Sequence, residues 1–161
     1  MPNNIFGRIK MSITNIDEIK NTKGRIIGVD FGEARTGVAV SDASRFLASG
    51  IGYIKVGGLH KTAQKIAEIA AEQGASAVVV GCPVNMNGTE GPRAERCRDF
   101  AAEVAKLTAL PVAMIDERMT TMAASRFLNE TNTRGAKRKS VIDTLSAQII
   151  LQNFLDRLKN M

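Results

Sequence analysis

The chain contains no tryptophan, one tyrosine and six phenylalanines. An aromatic platform for stacking nucleic-acid bases is therefore not expected. The two cysteines, Cys82 and Cys97, make neither a disulfide framework nor a zinc site. The single histidine, His60, has no partner at ligand spacing and reads as a surface residue near a helix start. No apolar run is long enough for a signal segment or a membrane span. The expectation is a soluble, cytoplasmic protein with no membrane partner.

What is present is ordinary for a globular protein. Apolar residues make up 44% and charged residues 24% of the 161 positions. One domain with a real core is the natural reading of this length. The balance of charge is less ordinary. A net charge of +6 and a pI near 9.6 favour a polyanionic partner, with nucleic acid the leading candidate.

The most organised stretch runs from Arg25 to Asp42. Ile26, Ile27 and Val29 are strand formers, as are Val38 and Val40. Gly32 and Gly37 punctuate the turn between these two strands, at positions that need either a positive φ or a close neighbour. Asp30 sits at the end of the first strand between Val29 and Phe31. A carboxylate among apolar neighbours is costly unless it is paired or bound to a metal. Capping of its own turn is the plainer explanation.

Residues 1–23 are polar and weakly patterned and read as a flexible N-terminal extension; residues 24–161 read as the single domain. A third strand is expected over Phe46–Val56, closing an antiparallel meander. Ala63, Ile66, Ala67, Ile69 and Ala70 recur at helical spacing between His60 and Gln73, and Gly74 stops that helix. Ala77–Val80 is a continuous apolar run, suited to a buried parallel strand after a helical crossover. Gly81–Gly91 is a loop at its C-terminal end, where ligand crevices form in open α/β sheets.

An amphipathic helix follows over Pro92–Leu107, with Ala94, Cys97, Ala101 and Val104 inward. A fifth strand, Pro111–Ile115, leads into Asp116-Glu117-Arg118. Met119–Glu130 reads as a short helix with Thr120 or Thr121 near its N-cap. The segment Thr131–Lys139 is strongly basic through Arg134, Lys137, Arg138 and Lys139. Ser140 opens a last helix to about Leu158. Its Val141, Ile142, Leu145, Ile149 and Leu151 make it apolar nearly all round, hence buried. Asp143 shares a face with Ala147, Ile150 and Phe154. Ser140 as N-cap with Asp143 at N3 also fits a variant capping box, which by itself would explain the acid.

This order predicts an α/β fold. Strands 1–3 form an antiparallel meander and strands 4 and 5 run parallel, giving a mixed five-stranded sheet with helices on both faces. Acids at the ends of strands one and five and on the last helix would converge at one edge. Three carboxylates without histidine or cysteine are hard oxygen ligands suited to Mg2+ or Mn2+. Such ions activate water and stabilise the leaving oxygen of a phosphodiester. Basic side chains nearby would hold substrate phosphates.

The chain resembles the YqgF family, also called RuvX, over roughly Gly24–Leu158. The resemblance rests on Gly28-Val29-Asp30-Phe31-Gly32 with Arg35 and Gly37, and on Gly81-Cys82-Pro83 with Asn87-Gly88. It rests also on Asp116-Glu117-Arg118 with Thr120-Thr121, and on Lys139, Asp143, Ala147 and Ile150-Leu151. It implies an RNase H-like fold, a divalent-metal nuclease, and maturation of the 5′ end of pre-16S ribosomal RNA. By this resemblance Asp30, Asp116 and Asp143 are catalytic and bind metal, with Glu117 a fourth candidate ligand. Arg35, Arg118, Arg134, Lys137, Arg138 and Lys139 are the candidate phosphate contacts. Family members often carry Leu where this chain has Cys82, and Ala where it has Ser146.

The partner implied is structured RNA, pre-16S rRNA first, or branched DNA, with the small ribosomal subunit a further candidate. The protein itself would be a monomer or a weak homodimer. Two other functions fit the residues: a Holliday junction resolvase, which needs paired active sites, and a non-catalytic nucleic-acid-binding assembly or transcription factor. The absence of an acid at the end of strand four favours the last.

Overall fold

The computed structural model describes residues 16–82, 91–116 and 135–160, with Asp116 and residues 135–140 described by backbone alone. The most apolar run, Ala77–Cys82 (β4), is buried at every position. It lies between β1 (Ile26–Asp30) and β5 (Val112–Asp116), parallel to both. On the other side of β1 come β2 (Thr36–Ser41) and β3 (Ala48–Ile54), each antiparallel to its neighbour, so the sheet order is β3-β2-β1-β4-β5. This is the mixed five-stranded sheet that the strand and helix order predicts. Met119–Glu130, expected as a helix, lies outside the described residues.

Strand alternation divides the apolar residues between two cores. Ile27, Val29, Phe31, Val78, Val80 and Val112 face one side. There α2 (Leu59–Gln73) and α3 (Pro92–Thr108) cover them with Ala63, Ile66, Cys97, Phe100 and Val104. Phe31 and Phe100 stack with centroids 4.3 Å apart. Gly74 ends α2 in the left-handed conformation, as its position predicts. Ile26, Ala39, Ala77, Val79 and Ala113 face the other side, where α4 (Gly135–Lys159) lies across them with Ala147, Ile150, Leu151, Phe154 and Leu155.

α4 departs from expectation in two ways. It starts at Gly135, not Ser140, because Ala136, Lys137, Arg138 and Lys139 are good helix formers and continue the turn backwards. Ser140 is therefore not an N-cap, and Asp143 stands two turns inside the helix; the capping explanation of this acid is removed. The helix is also covered on one side only. Val141, Ile142, Leu145 and Ile149 are half-exposed, whereas Leu151 is fully buried.

The extension expected over 1–23 has a packed end. Ile16–Lys20 forms a one-turn helix, α1, whose Ile19 is fully buried in the α4-side core. Arg45 ties this segment down. Its guanidinium donates to the carbonyls of Gly24 (2.6 Å) and Ile19 (3.0 Å) and to the hydroxyls of Thr22 and Ser76. That network holds Arg45 at φ 63°, a backbone conformation costing on the order of 1 kcal/mol for a non-glycine residue.

α4 approaches the sheet over three glycines. A β-carbon on Gly28 would stand 2.6 Å from Leu151 Cβ, and one on Gly50 would stand 2.5 Å from Thr144 Cγ2. One on Gly37 would overlap the Asp143 carbonyl oxygen outright. Helix backbone cannot yield as a side-chain tip can, so Gly37→Ala must lift α4 from β2. We expect Gly37→Ala to cost at least about 3 kcal/mol in denaturant unfolding. Gly57→Ala, where a β-carbon meets open space, should stay within about 0.5 kcal/mol. Equal losses for the two would contradict this packing. Ser146 is fully buried and its hydroxyl has no hydrogen-bond partner. Ser146→Ala should therefore stabilise the protein by about 1 kcal/mol in the same measurement.

Candidate active site

Asp30 ends β1, opposite Gly37 of β2 on one side and Gly81 of β4 on the other. Ile26 and Gly28 face α4, so alternation puts Asp30 on the α4 face as well. Asp143 is brought to the same place by the close approach just described, since its backbone lies against Gly37. Two acids separated by 113 positions in the chain thus meet at one end of the sheet.

The third member is Arg35, in the β1–β2 turn. That turn is knitted by Thr36, which is buried; its hydroxyl donates to the Gly32 carbonyl (3.2 Å) and accepts from the Gly32 amide (3.3 Å). Arg35 Nε stands 2.7 Å from Asp143 Oδ2, with the two side chains 25% and 21% exposed. Both atoms are buried, yet the N–H direction does not meet hydrogen-bond geometry. The pairing is chiefly charge on charge. Nothing in the sequence signals it, because the partners lie far apart and an arginine beside a turn is usually a solvated charge.

Burial pushes the Asp143 carboxyl above its ordinary value of 3.8, and the Arg35 charge pulls it partly back. Glu33, on the same turn, pairs with Arg96 of α3 at 2.8 Å, but both side chains are largely exposed and the pair adds little stability.

Asp116 ends β5. In the ladder its partner is Cys82, one residue past the row that joins Asp30, Gly81 and Ile115. Cys82 is buried, so the end of the intervening strand carries a thiol and no acid. Neighbouring strands lie about 4.8 Å apart, so Asp30 and Asp116 are separated by roughly 10 Å at the backbone. Glu117, Arg118 and Arg134 lie outside the described residues. Lys137, Arg138 and Lys139 stand in the first turns of α4 rather than in a loop before it.

Asp30 and Asp143 offer hard oxygen donors at one sheet end, and Asp143 Oδ2 is a buried oxygen with no well-formed hydrogen bond. That donor chemistry suits a divalent cation of the Mg2+ type. Among the described residues no group of three His, Cys, Asp or Glu side chains forms a complete metal cage. Asp30 and Asp143 are the two acids that the described residues bring to this end of the sheet.

Comparison with known proteins settles the family. Residues 24–157 match the family model described as "RuvX: Holliday junction resolvase". The chain belongs to the RuvX family. A relative from Ruminiclostridium cellulolyticum named "Putative pre-16S rRNA nuclease" is 42% identical over 135 residues, covering 83% of this chain and 95% of the relative. One of the same name from Acidiphilium cryptum is 40% identical over 151 residues, covering 92% of this chain and 96% of the relative. Among solved structures, Thermus thermophilus RuvC in complex with a Holliday junction substrate matches with a TM-score of 0.53. It is 14% identical and is covered over 96% of its length by 84% of this chain. That likeness establishes the shared RNase H-like fold. Among the described residues no helix is long and apolar enough to cross a membrane.

The shifted carboxyl makes a pH prediction. The folded protein holds the Asp143 proton more tightly than the unfolded chain does. Its contribution to stability is therefore lost as pH rises from 3.8 towards the raised folded value. We expect wild type to lose stability relative to Asp143→Asn across that interval and the difference to level off above it, in denaturant melts taken at successive pH values. Parallel curves would show that the carboxyl is not perturbed.

Proposed function

We propose that this RuvX family member is a divalent-metal-dependent nuclease that hydrolyses phosphodiester bonds in 5′-end maturation of pre-16S ribosomal RNA. The observation that carries the reading is the convergence of Asp30 and Asp143 on the α4 face of the sheet, with Asp143 seated against Gly37 opposite Asp30. The names of the relatives support the RNA substrate.

Asp30, Asp143, and Asp116 or Glu117 would hold Mg2+ or Mn2+. When bound, such an ion supplies an activated water and charge stabilisation for the leaving oxygen. The protein's own part is positioning. β1 and α4 fix the carboxylates on rigid elements, and the dry core beneath them keeps the local dielectric low. Lys137, Arg138 and Lys139 at the start of α4, with Arg118 and Arg134, would attract the RNA backbone, and Arg35 would contact a phosphate beside the acids. The protein would act in the cytoplasm on the free RNA or on the small ribosomal subunit.

The family description favours a second reading, resolution of four-way DNA junctions by a dimer. The same acids would serve, with two copies each supplying one site.

An end-labelled pre-16S fragment and a four-way DNA junction, each incubated with Mg2+ or Mn2+ and with chelator, test both readings. Wild type should cut the RNA only with metal, and Asp30→Asn should reduce cutting to background while RNA binding persists. Cutting of the junction alone would move the assignment to the resolvase. Binding without cutting of either substrate would make the protein an assembly or transcription factor.

A further inference from the structure

We propose that Arg35 occupies, on Asp143, the place that a divalent cation takes. Cation binding and release of Arg35 to the substrate phosphate are then one exchange. The inference rests on the metal-site reading above.

The pairing has the features of a replaceable contact. Arg35 Nε stands 2.7 Å from Asp143 Oδ2 without hydrogen-bond alignment. A guanidinium committed to a structural role would normally meet a carboxylate through two parallel N–H donors. Here Asp143 receives charge compensation but incomplete hydrogen bonding, and burial makes that deficit costly. A hard dication offers the same oxygen twice the charge and direct coordination. Arg35 also has somewhere to go. A quarter of its side chain is exposed, and its backbone sits in a turn held by Thr36 rather than by the guanidinium itself. It can leave Asp143 without unlocking the hairpin.

The charge balance gives the exchange a direction. In the metal-free protein Asp30, Asp143, the third acid of the set and Arg35 together carry two net negative charges, which repel a phosphodiester. With a dication on the acids the same group is neutral, the repulsion is gone, and the guanidinium no longer faces a carboxylate. Phosphate affinity is thereby switched on by the cation. By reciprocity, bound RNA strengthens the hold on the cation by the same factor. Arg35 is on this view a positioning residue in the metal-free protein and a phosphate ligand in the loaded one.

The test uses Mn2+ binding, read by loss of the free-ion EPR signal, together with filter binding of the pre-16S fragment with and without Ca2+. Wild type, Arg35→Gln, Arg35→Lys and Asp143→Asn are compared after thermal melts confirm folding. Arg35→Gln should bind Mn2+ at least about threefold more tightly than wild type, since no resident cation has to leave. Arg35→Lys should fall between the two, and this variant carries the test if Arg35→Gln does not fold. Ca2+ should raise RNA affinity more in wild type than in Arg35→Gln, because only wild type gains a freed guanidinium. Simple removal of a positive charge would leave that Ca2+ increment equal in both. Equal increments, or Mn2+ binding to Arg35→Gln no tighter than to wild type, overturn the exchange while leaving the metal site standing. No Mn2+ binding by any variant overturns the metal site itself, and the exchange with it.

Discussion

The contact between α4 and the sheet over Gly28, Gly37 and Gly50 decides most of what this molecule can do. A helix lying on a sheet is ordinarily held off by side chains on both surfaces. Here three missing β-carbons in neighbouring strands remove that spacer along the helix. The gain is close packing for Ala147, Ile150, Leu151 and Phe154 against Ile26, Ala39 and Val79. The consequence is chemical. Asp143 is set down against the residue that faces Asp30 across the ladder, so two acids come to one end of the same sheet face, which neither segment could arrange alone.

Placing like charges together on a partly dry surface has an electrostatic cost. Arg35 offsets part of it. The guanidinium reaches Asp143 from the turn that follows Asp30, so the same hairpin that supplies one acid supplies the counter-charge for the other. Burial still wins over this attraction, because the Asp143 carboxyl stays above its ordinary value. The end of the intervening strand adds no acid: Gly81 is the ladder partner of Asp30, and the buried thiol of Cys82 packs into the core on the opposite face.

The opposite face of the sheet does quieter work. α2 and α3 cover Ile27, Val29, Val78 and Val80, and Phe100 stacks on Phe31 directly after Asp30. That packing holds the end of β1 in place, so the carboxylate is presented by a strand anchored on both sides. Ser146 of α4 lies on the other face, fully buried. Its unpartnered buried hydroxyl marks a position where this chain gives up some stability on the α4 side.

Period and composition were enough to read the architecture. Alternating and continuous apolar runs marked the five strands, and the spacing of Ala63, Ile66 and Ala70 marked a helix. The brevity of the first connections forced the antiparallel meander. These signals are local, and tertiary packing only had to agree with them. The acids were also legible, because a carboxylate amid apolar neighbours stands out wherever it occurs. The start of α4 was not. Ser140 looked like a cap, but capping preference is worth about 1 kcal/mol and yields to a preceding run of good helix formers. The packed end of the N-terminal extension was likewise invisible, since Ile19 is held by a buried contact and by Arg45, 26 residues further along the chain. The sequence by itself determined the five strands, their directions and which acids were available. Only the tertiary structure decided that Asp143 meets Arg35, because that pairing follows from how deeply α4 sinks over Gly37, and no local pattern records a distance between segments more than a hundred residues apart.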